Sequence, residues 1–395
     1  MSREYVLTIL NDTKQAEPDN ALRDGIDVWT YVDPHVVLFT FLPILLFQSA
    51  FTADVHILRH EVKQIFLLAV PGVLSSTFLT ACFTKLFYRD WEWNLCFLLG
   101  AILSATDPVA VVSIMKELGV DERLGTLIEG ESLLNDGTAI VVFTVVSKFL
   151  FHNCCSGGEV IIWAARLSIG GPAVGLAIGY AVVKLLDFRL VSSDLTSEVT
   201  LTVVACYACF MLAEGTGLHV SGVLAVVFCG IFLAYLGQGR FNVKVEKSLE
   251  SFWHIAEYVA DTIIFFVSGL IVARVFVEDS VVVQDWLYLL AMYVALHVIR
   301  IFNIWLFWSC MTEGSSYGEN WDHKQASILV MGGLRGAVGL ALALVTDHEL
   351  QDSDLPHAQR KAGRVLFHVA GIAFLTLLVN GTLMVGTQTV YYSIS

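Results

Sequence analysis

Eleven apolar runs, at approximately 34–51, 63–87, 94–116, 124–151, 160–186, 197–213, 218–236, 252–276, 284–309, 325–346 and 364–392, constrain this chain more than any other feature. A helix crosses the roughly 30 Å of bilayer hydrocarbon with about 20 residues, so each run is a candidate span. The connections are short and polar. The reading is an all-α polytopic membrane protein: a polar N-terminal tail over 1–33, then one compact helical domain over 34–392. Only 15% of the 395 residues are charged and 56% are hydrophobic, whereas soluble domains carry about a quarter charged residues. The lipid bilayer is therefore the expected solvent. A formal net charge of −14 argues against a nucleic-acid partner, because such partners select basic surfaces. The eight cysteines suggest no disulfide framework, and Cys206-x-x-Cys209 at helical spacing reads as packing. The first 30 residues are polar and acidic, with no signal-peptide pattern. Lysine and arginine divide almost evenly between the two sides, so charge bias leans weakly or not at all on orientation.

Against this apolar background, residues 104–143 place Asp107, Glu131 and Asp136 in spans. A carboxylate at the bilayer centre costs several kcal/mol, which by default marks an ion or proton pathway. Asp107 precedes Pro108, which removes a helical hydrogen bond. The third run thus breaks at Thr106-Asp107-Pro108, and the tenth contains Gly332-Gly333-Leu334-Arg335-Gly336. Runs two to four flank the first break and runs nine to eleven the second. Matched interrupted helices in two halves point to an inverted-repeat transporter with a midplane site. The symmetry is one of hydropathy, without a residue-level repeat.

Ser132 and Asp136 are four apart and share a helix face; Glu131 and Asn135 form the adjacent pair. Hard cations such as Na⁺ take oxygen ligands, and the break at Thr106 would free backbone carbonyls as more. In a partly dry cavity desolvation favours a neutral carboxyl, while a bound cation favours the ionised form. If Asp136 cannot hold both, loading one ion expels the other, and alternating access then gives antiport. The plainer alternative makes Asp107 and Asp136 structural, pairing with arginines or capping helices.

Arg300 and Arg335 are buried cations that need partners. Glu131 with Arg300 is the favoured brace; Arg335 either neutralises helix ends or faces Asp107. Glu214 and His219 flank a short turn and read as solvated, and Asp261 either lines the pathway or braces a dimer surface. Glu257 lies near a span boundary, Gly222 suits close helix contact, and Asn11-x-Thr13 matches a glycosylation sequon.

The stretches SATDPVAV, GESLLND, FLPILLF at 41–47, DTIIFFVSG at 261–269 and GGLRGAVGLALAL at 332–344 resemble the sodium/proton exchanger branch of the monovalent cation:proton antiporters, in family order over almost the whole chain. The wording around IEGESLLNDGTAIVVF is most similar to the plant salt-overly-sensitive plasma-membrane antiporter and the sperm-specific exchanger. The resemblance implies a homodimer with a mobile core, over approximately 63–151 and 284–392, that shifts against a dimerisation and linker part over 34–51 and 160–276. It implies that Asp136 carries ion and proton, with Thr106, Asp107 and Ser132 completing Na⁺ coordination. Asn135 would hold the crossed, unwound helices, and its pairing with Asp136 resembles the electroneutral variant. It further implies a plasma-membrane protein of pH regulation and salt tolerance, with a cytosolic C-terminus, no cofactor and no enzymatic activity. Three departures stand out: eleven runs where the family has thirteen, Gln48 where an acid often follows the FLPxLLF run, and no long regulatory region.

Two other readings compete. A transport-dead or truncated member would serve assembly or regulation. An intramembrane aspartyl protease would use Asp107 and Asp136 as a dyad, but the chain lacks the expected Gly-x-Gly-Asp setting and that chemistry gives Arg300 and Arg335 no role.

Overall fold

The computed structural model describes residues 33–107, 111–112, 115, 122–152, 157–188, 194–215, 217–237, 240–241, 243–277, 281–313, 323–351 and 357–383. The N-terminal tail with Asn11, Pro108, Cys154, Cys155 and the end of the last apolar run lie outside these residues. Within them the chain is helical in the order α1 (Pro34–Phe51), α2 (Val55–His60), α3 (Val62–Phe87), α4 (Trp93–Ser104), α5 (Glu122–His152), α6 (Gly157–Asp187), α7 (Leu195–Glu214), α8 (Gly222–Leu236), α9 (Val243–Val277), α10 (Val283–Glu313), α11 (His323–Met331), α12 (Ala337–Gln351) and α13 (Ala358–Leu383). Eight of these are long and apolar enough to cross a membrane; α4 and α8 are shorter apolar helices.

Local chemistry sets the boundaries. Pro34 opens α1, where its missing N–H costs nothing, and the Asp33 carboxylate caps the first turn by accepting from His35 N at 2.9 Å. Pro71 interrupts the ladder of α3 and the chain relaxes through a π turn over Leu68–Gly72. Asn303 of α10 donates to the Gly72 carbonyl there at 3.3 Å. Helix α9 begins nine residues before its apolar run, because the amphipathic turns around Glu246, Lys247 and Glu250 continue the helix with Leu249 buried. Hydropathy marks where lipid is, and hydrogen bonding carries the helix beyond it.

Packing falls into two groups. Helices α3, α4 and α5 pack with α10, α11, α12 and α13, while α1 packs with α6, α7, α8 and α9. In the second group Gly175 of α6 lies against the Ala225 backbone of α8, where no Cβ would fit. The groups meet where α1 and α9 lie against α12 and where α5 lies against α6 and α8.

Candidate ion-binding site

The site is built at the point where two helices stop. Helix α4 ends at Ser104 and α11 at Met331, and residues 105–107 and 332–336 are not helical. These two breaks cross in an antiparallel contact, with the Asp107 amide donating to the Leu334 carbonyl at 2.9 Å. The Asp107 side chain lies against Gly336, so close that a Cβ there would overlap the carboxyl. Gly336 is the residue before α12, so the carboxylate sits at the positive end of that helix. Just beyond the carbonyl end of α11 stands a cation instead: Arg335 Nη1 donates to the Gly333 carbonyl at 2.8 Å. Of the two roles open to Arg335 in the sequence, the geometry supports neutralisation of helix ends.

Helix α5 crosses beside this point and presents two faces. Ser132 donates to the Thr106 carbonyl, and Asn135 Nδ2 donates to the Thr106 hydroxyl at 2.8 Å. Glu131, only 1% exposed, meets Arg300 of α10 through two contacts of 2.5 and 2.9 Å, and Arg300 also donates to the Leu329 carbonyl at 3.1 Å. The guanidinium is thereby paired and its buried charge is offset. The freed carbonyls differ from the sequence expectation. Those of Thr106, Gly333 and Leu334 each accept from a protein donor, because exposed backbone at this depth must be satisfied internally. These three carbonyls hold the crossing together.

That cavity has a volume of about 430 Å³. Thr106, Asp107, Ser132 and Asp136 line it together, so the four residues proposed from the sequence for Na⁺ share one space. Asn135, Arg300 and Arg335 line a separate, much smaller cavity behind the crossing; among the described residues Thr106 alone borders both. Gln48 of α1 reaches the main cavity while 4% exposed. Glu257 and Asp261 of α9 also line it. Glu129 and His254, which the sequence reading passed over, are on its wall too. Glu129 stands three residues before Ser132 and seven before Asp136, a helical spacing that would have found it. Glu214 and His219 are exposed at the α7–α8 turn, where His219 takes a φ of 47°.

Comparison with known proteins agrees with this geometry. A family model described as "Sodium/hydrogen exchanger, transmembrane" matches residues 7–387. The chain is 40% identical over 363 residues to sodium/hydrogen exchanger 7 of Arabidopsis thaliana, covering 91% of this chain and 31% of that protein. It is 38% identical over 365 residues to sodium/hydrogen exchanger 8 of the same plant, with 91% and 47% covered. The Na⁺/H⁺ antiporter NhaP of Pseudomonas aeruginosa is 31% identical over 323 residues, with 79% and 73% covered. The chain therefore spans less than half the length of the two plant relatives. Its fold resembles that of the sodium proton antiporter MjNhaP1 of Methanocaldococcus jannaschii at pH 8, with a TM-score of 0.70 at 19% identity over 93% of this chain and 86% of that one. With the family match running over nearly its whole length and crossed, broken helices beside the acid-bearing α5, this chain belongs to the sodium/hydrogen exchanger family.

Proposed function

We propose that the chain is the transport unit of a secondary active antiporter that exchanges Na⁺ for H⁺. One observation carries this reading. Asp136 lines one cavity with Asp107, Ser132 and Thr106, while Arg300 and Arg335 are engaged elsewhere, Arg300 by Glu131 and Arg335 by backbone carbonyls. A carboxylate in such a space holds either a cation or a proton, and that competition couples the two fluxes. Thr106 and Ser132 add hydroxyl oxygens beside the acids, suited to a small hard cation.

Alternating access would come from the group α3–α5 with α10–α13 shifting as a body against α1 with α6–α9. The separation of packing into these two groups supports that division. The expected assembly is a homodimer in the bilayer, in the plasma membrane, and Asn135 beside Asp136 favours electroneutral exchange. Li⁺ or K⁺ would compete for the same oxygens. No covalent chemistry is involved and no cofactor is required.

The test uses the purified chain in proteoliposomes, with an imposed Na⁺ gradient and luminal pH followed over time. Proton movement that depends on Na⁺ and disappears in Asp136→Asn is the expected result. No movement from folded, inserted protein would reject exchange and move the chain to an assembly or regulatory role.

A further inference from the structure

The main cavity has a second titratable wall that the exchange chemistry above leaves unused. Helix α9 contributes His254, Glu257 and Asp261, which are spaced by three and then four residues. To the same cavity α5 contributes Glu129, Ser132 and Asp136 with the same spacing. Both triplets therefore form stripes along one helix face, and the two stripes border one space.

The three α9 groups have different surroundings. His254 is exposed, and its Nδ1 lies 3.5 Å from Glu257 Oε2, so Glu257 has a cationic neighbour whenever the imidazole is protonated. Asp261 lies one to two turns further along and is half-buried. Among the described residues it has no hydrogen bond or ion pair with a protein group; its electrostatic neighbour is the Asp107 carboxylate, which also acts on Asp136. Arg300 and Arg335 lie off this cavity, behind the crossed helices. The Gln48 amide, almost fully buried on the α1 wall, adds an oxygen but no charge. A carboxylate in a membrane-buried segment is costly, and among the described residues no lysine or arginine lines this cavity to offset it.

We propose that Asp261 is a cation-positioning residue: from the α9 wall of the cavity that Asp136 also lines, it draws a monovalent cation in and raises its affinity there, without itself carrying the exchanged proton. This deepens the exchange reading by assigning a residue to cation affinity. It also rests on that reading for the identity of the carrier. Because Asp261 belongs to the α1/α6–α9 group and Asp136 to the other, the two acids share this cavity only while it lies between the groups. Its effect is therefore confined to the side on which this cavity opens.

The experiment is the Na⁺ dependence of thermal stability of the purified full chain, with choline as the ionic-strength control. In Asp261→Asn the Na⁺ concentration giving half-maximal stabilisation should rise roughly tenfold, as expected for losing one unit charge that acts across a hydrated cavity and not in direct contact. The maximal stabilisation should stay, and Asp261→Glu should keep the midpoint near that of the unaltered chain. A merely structural role would lower stability without moving the midpoint, and would overturn the proposal. So would complete loss of Na⁺ stabilisation in Asp261→Asn, which would make Asp261 a primary ligand, or no Na⁺ stabilisation of the unaltered chain. Should Asp261→Asn fail to fold, a midpoint shifted tenfold in Asp261→Glu would overturn it and an unmoved one would support it. Failure of the exchange reading shows separately: a midpoint that moves as expected in a protein that drives no proton flux rejects exchange and leaves cation positioning standing.

Discussion

The amide of Asp107 donates to the carbonyl of Leu334 at 2.9 Å, and this contact joins two helices that have each given up their own hydrogen bonding. Its consequences run in both directions along the chain. The carboxyl of Asp107 sits against Gly336 at the start of α12, and Arg335 turns back onto the Gly333 carbonyl. Acid and base thus compensate opposite helix ends, and the acid remains on the wall of the cavity.

Gly336→Ala should disrupt this arrangement, since the added methyl would overlap the Asp107 side chain as far back as its Cβ. The expected cost is about 1–3 kcal/mol in stability, with loss of Na⁺-dependent proton flux. Gly269→Ala on α9 is the control, because nothing lies within 4 Å of its added Cβ. Thermal melts of the two variants side by side should separate them; equal melting temperatures would refute the steric argument.

Glu131→Gln should lower folded yield and thermal stability, because it leaves the half-buried Arg300 charge without its partner. Breaking one side of a buried ion pair costs about 3–5 kcal/mol. Replacing both groups, as in Glu131→Gln with Arg300→Met, should recover part of that loss. A double variant no better than the single one would show that the pair is not the source of the effect.

Ser132→Ala and Asn135→Ala should part company in function. Both lose a hydrogen bond to Thr106, worth about 0.5–1.5 kcal/mol net. Only Ser132 also lines the main cavity, so its substitution should raise the half-saturating Na⁺ concentration of exchange. Asn135 lines the small cavity behind the crossing, and its substitution should act chiefly on stability. Flux measured over a range of Na⁺ concentrations checks the difference.

Away from the site, Tyr88 donates to Asp285 at 2.7 Å and meets His368 Nε2 at 2.6 Å, while Arg364 donates to the same carboxylate at 3.1 Å. Burial and the Asp285 carboxylate push the Tyr88 phenol well above its ordinary range. Its stabilising contribution is whole below the ordinary phenol pKa of about 10 and is lost as pH rises beyond it. Tyr88→Phe should lower the melting temperature near neutrality, leave the half-saturating Na⁺ concentration unchanged, and flatten the alkaline limb of the stability profile. Identical alkaline melting curves for the two proteins would contradict this assignment.

Much of the site was legible in the sequence because the signals are local. Apolar length marks the spans, glycine runs and the Asp-Pro step mark the breaks, and a four-residue interval puts Ser132 and Asp136 on one face with Glu131 and Asn135 beside it. The need of a buried cation for a partner was enough to suggest Glu131 with Arg300. Tertiary structure decided what local spacing cannot express: which faces of different helices meet. It put the α9 stripe of His254, Glu257 and Asp261 on the same cavity as Glu129, Ser132 and Asp136, and gathered Tyr88, Asp285, Arg364 and His368 from three separate segments. It also decided the fate of the freed carbonyls, which accept from Ser132, Arg335 and Asp107. Hydropathy is a property of each residue and a helix face of a few consecutive turns. Contact between helices far apart in the chain depends on packing the whole bundle, and only the folded protein specifies it.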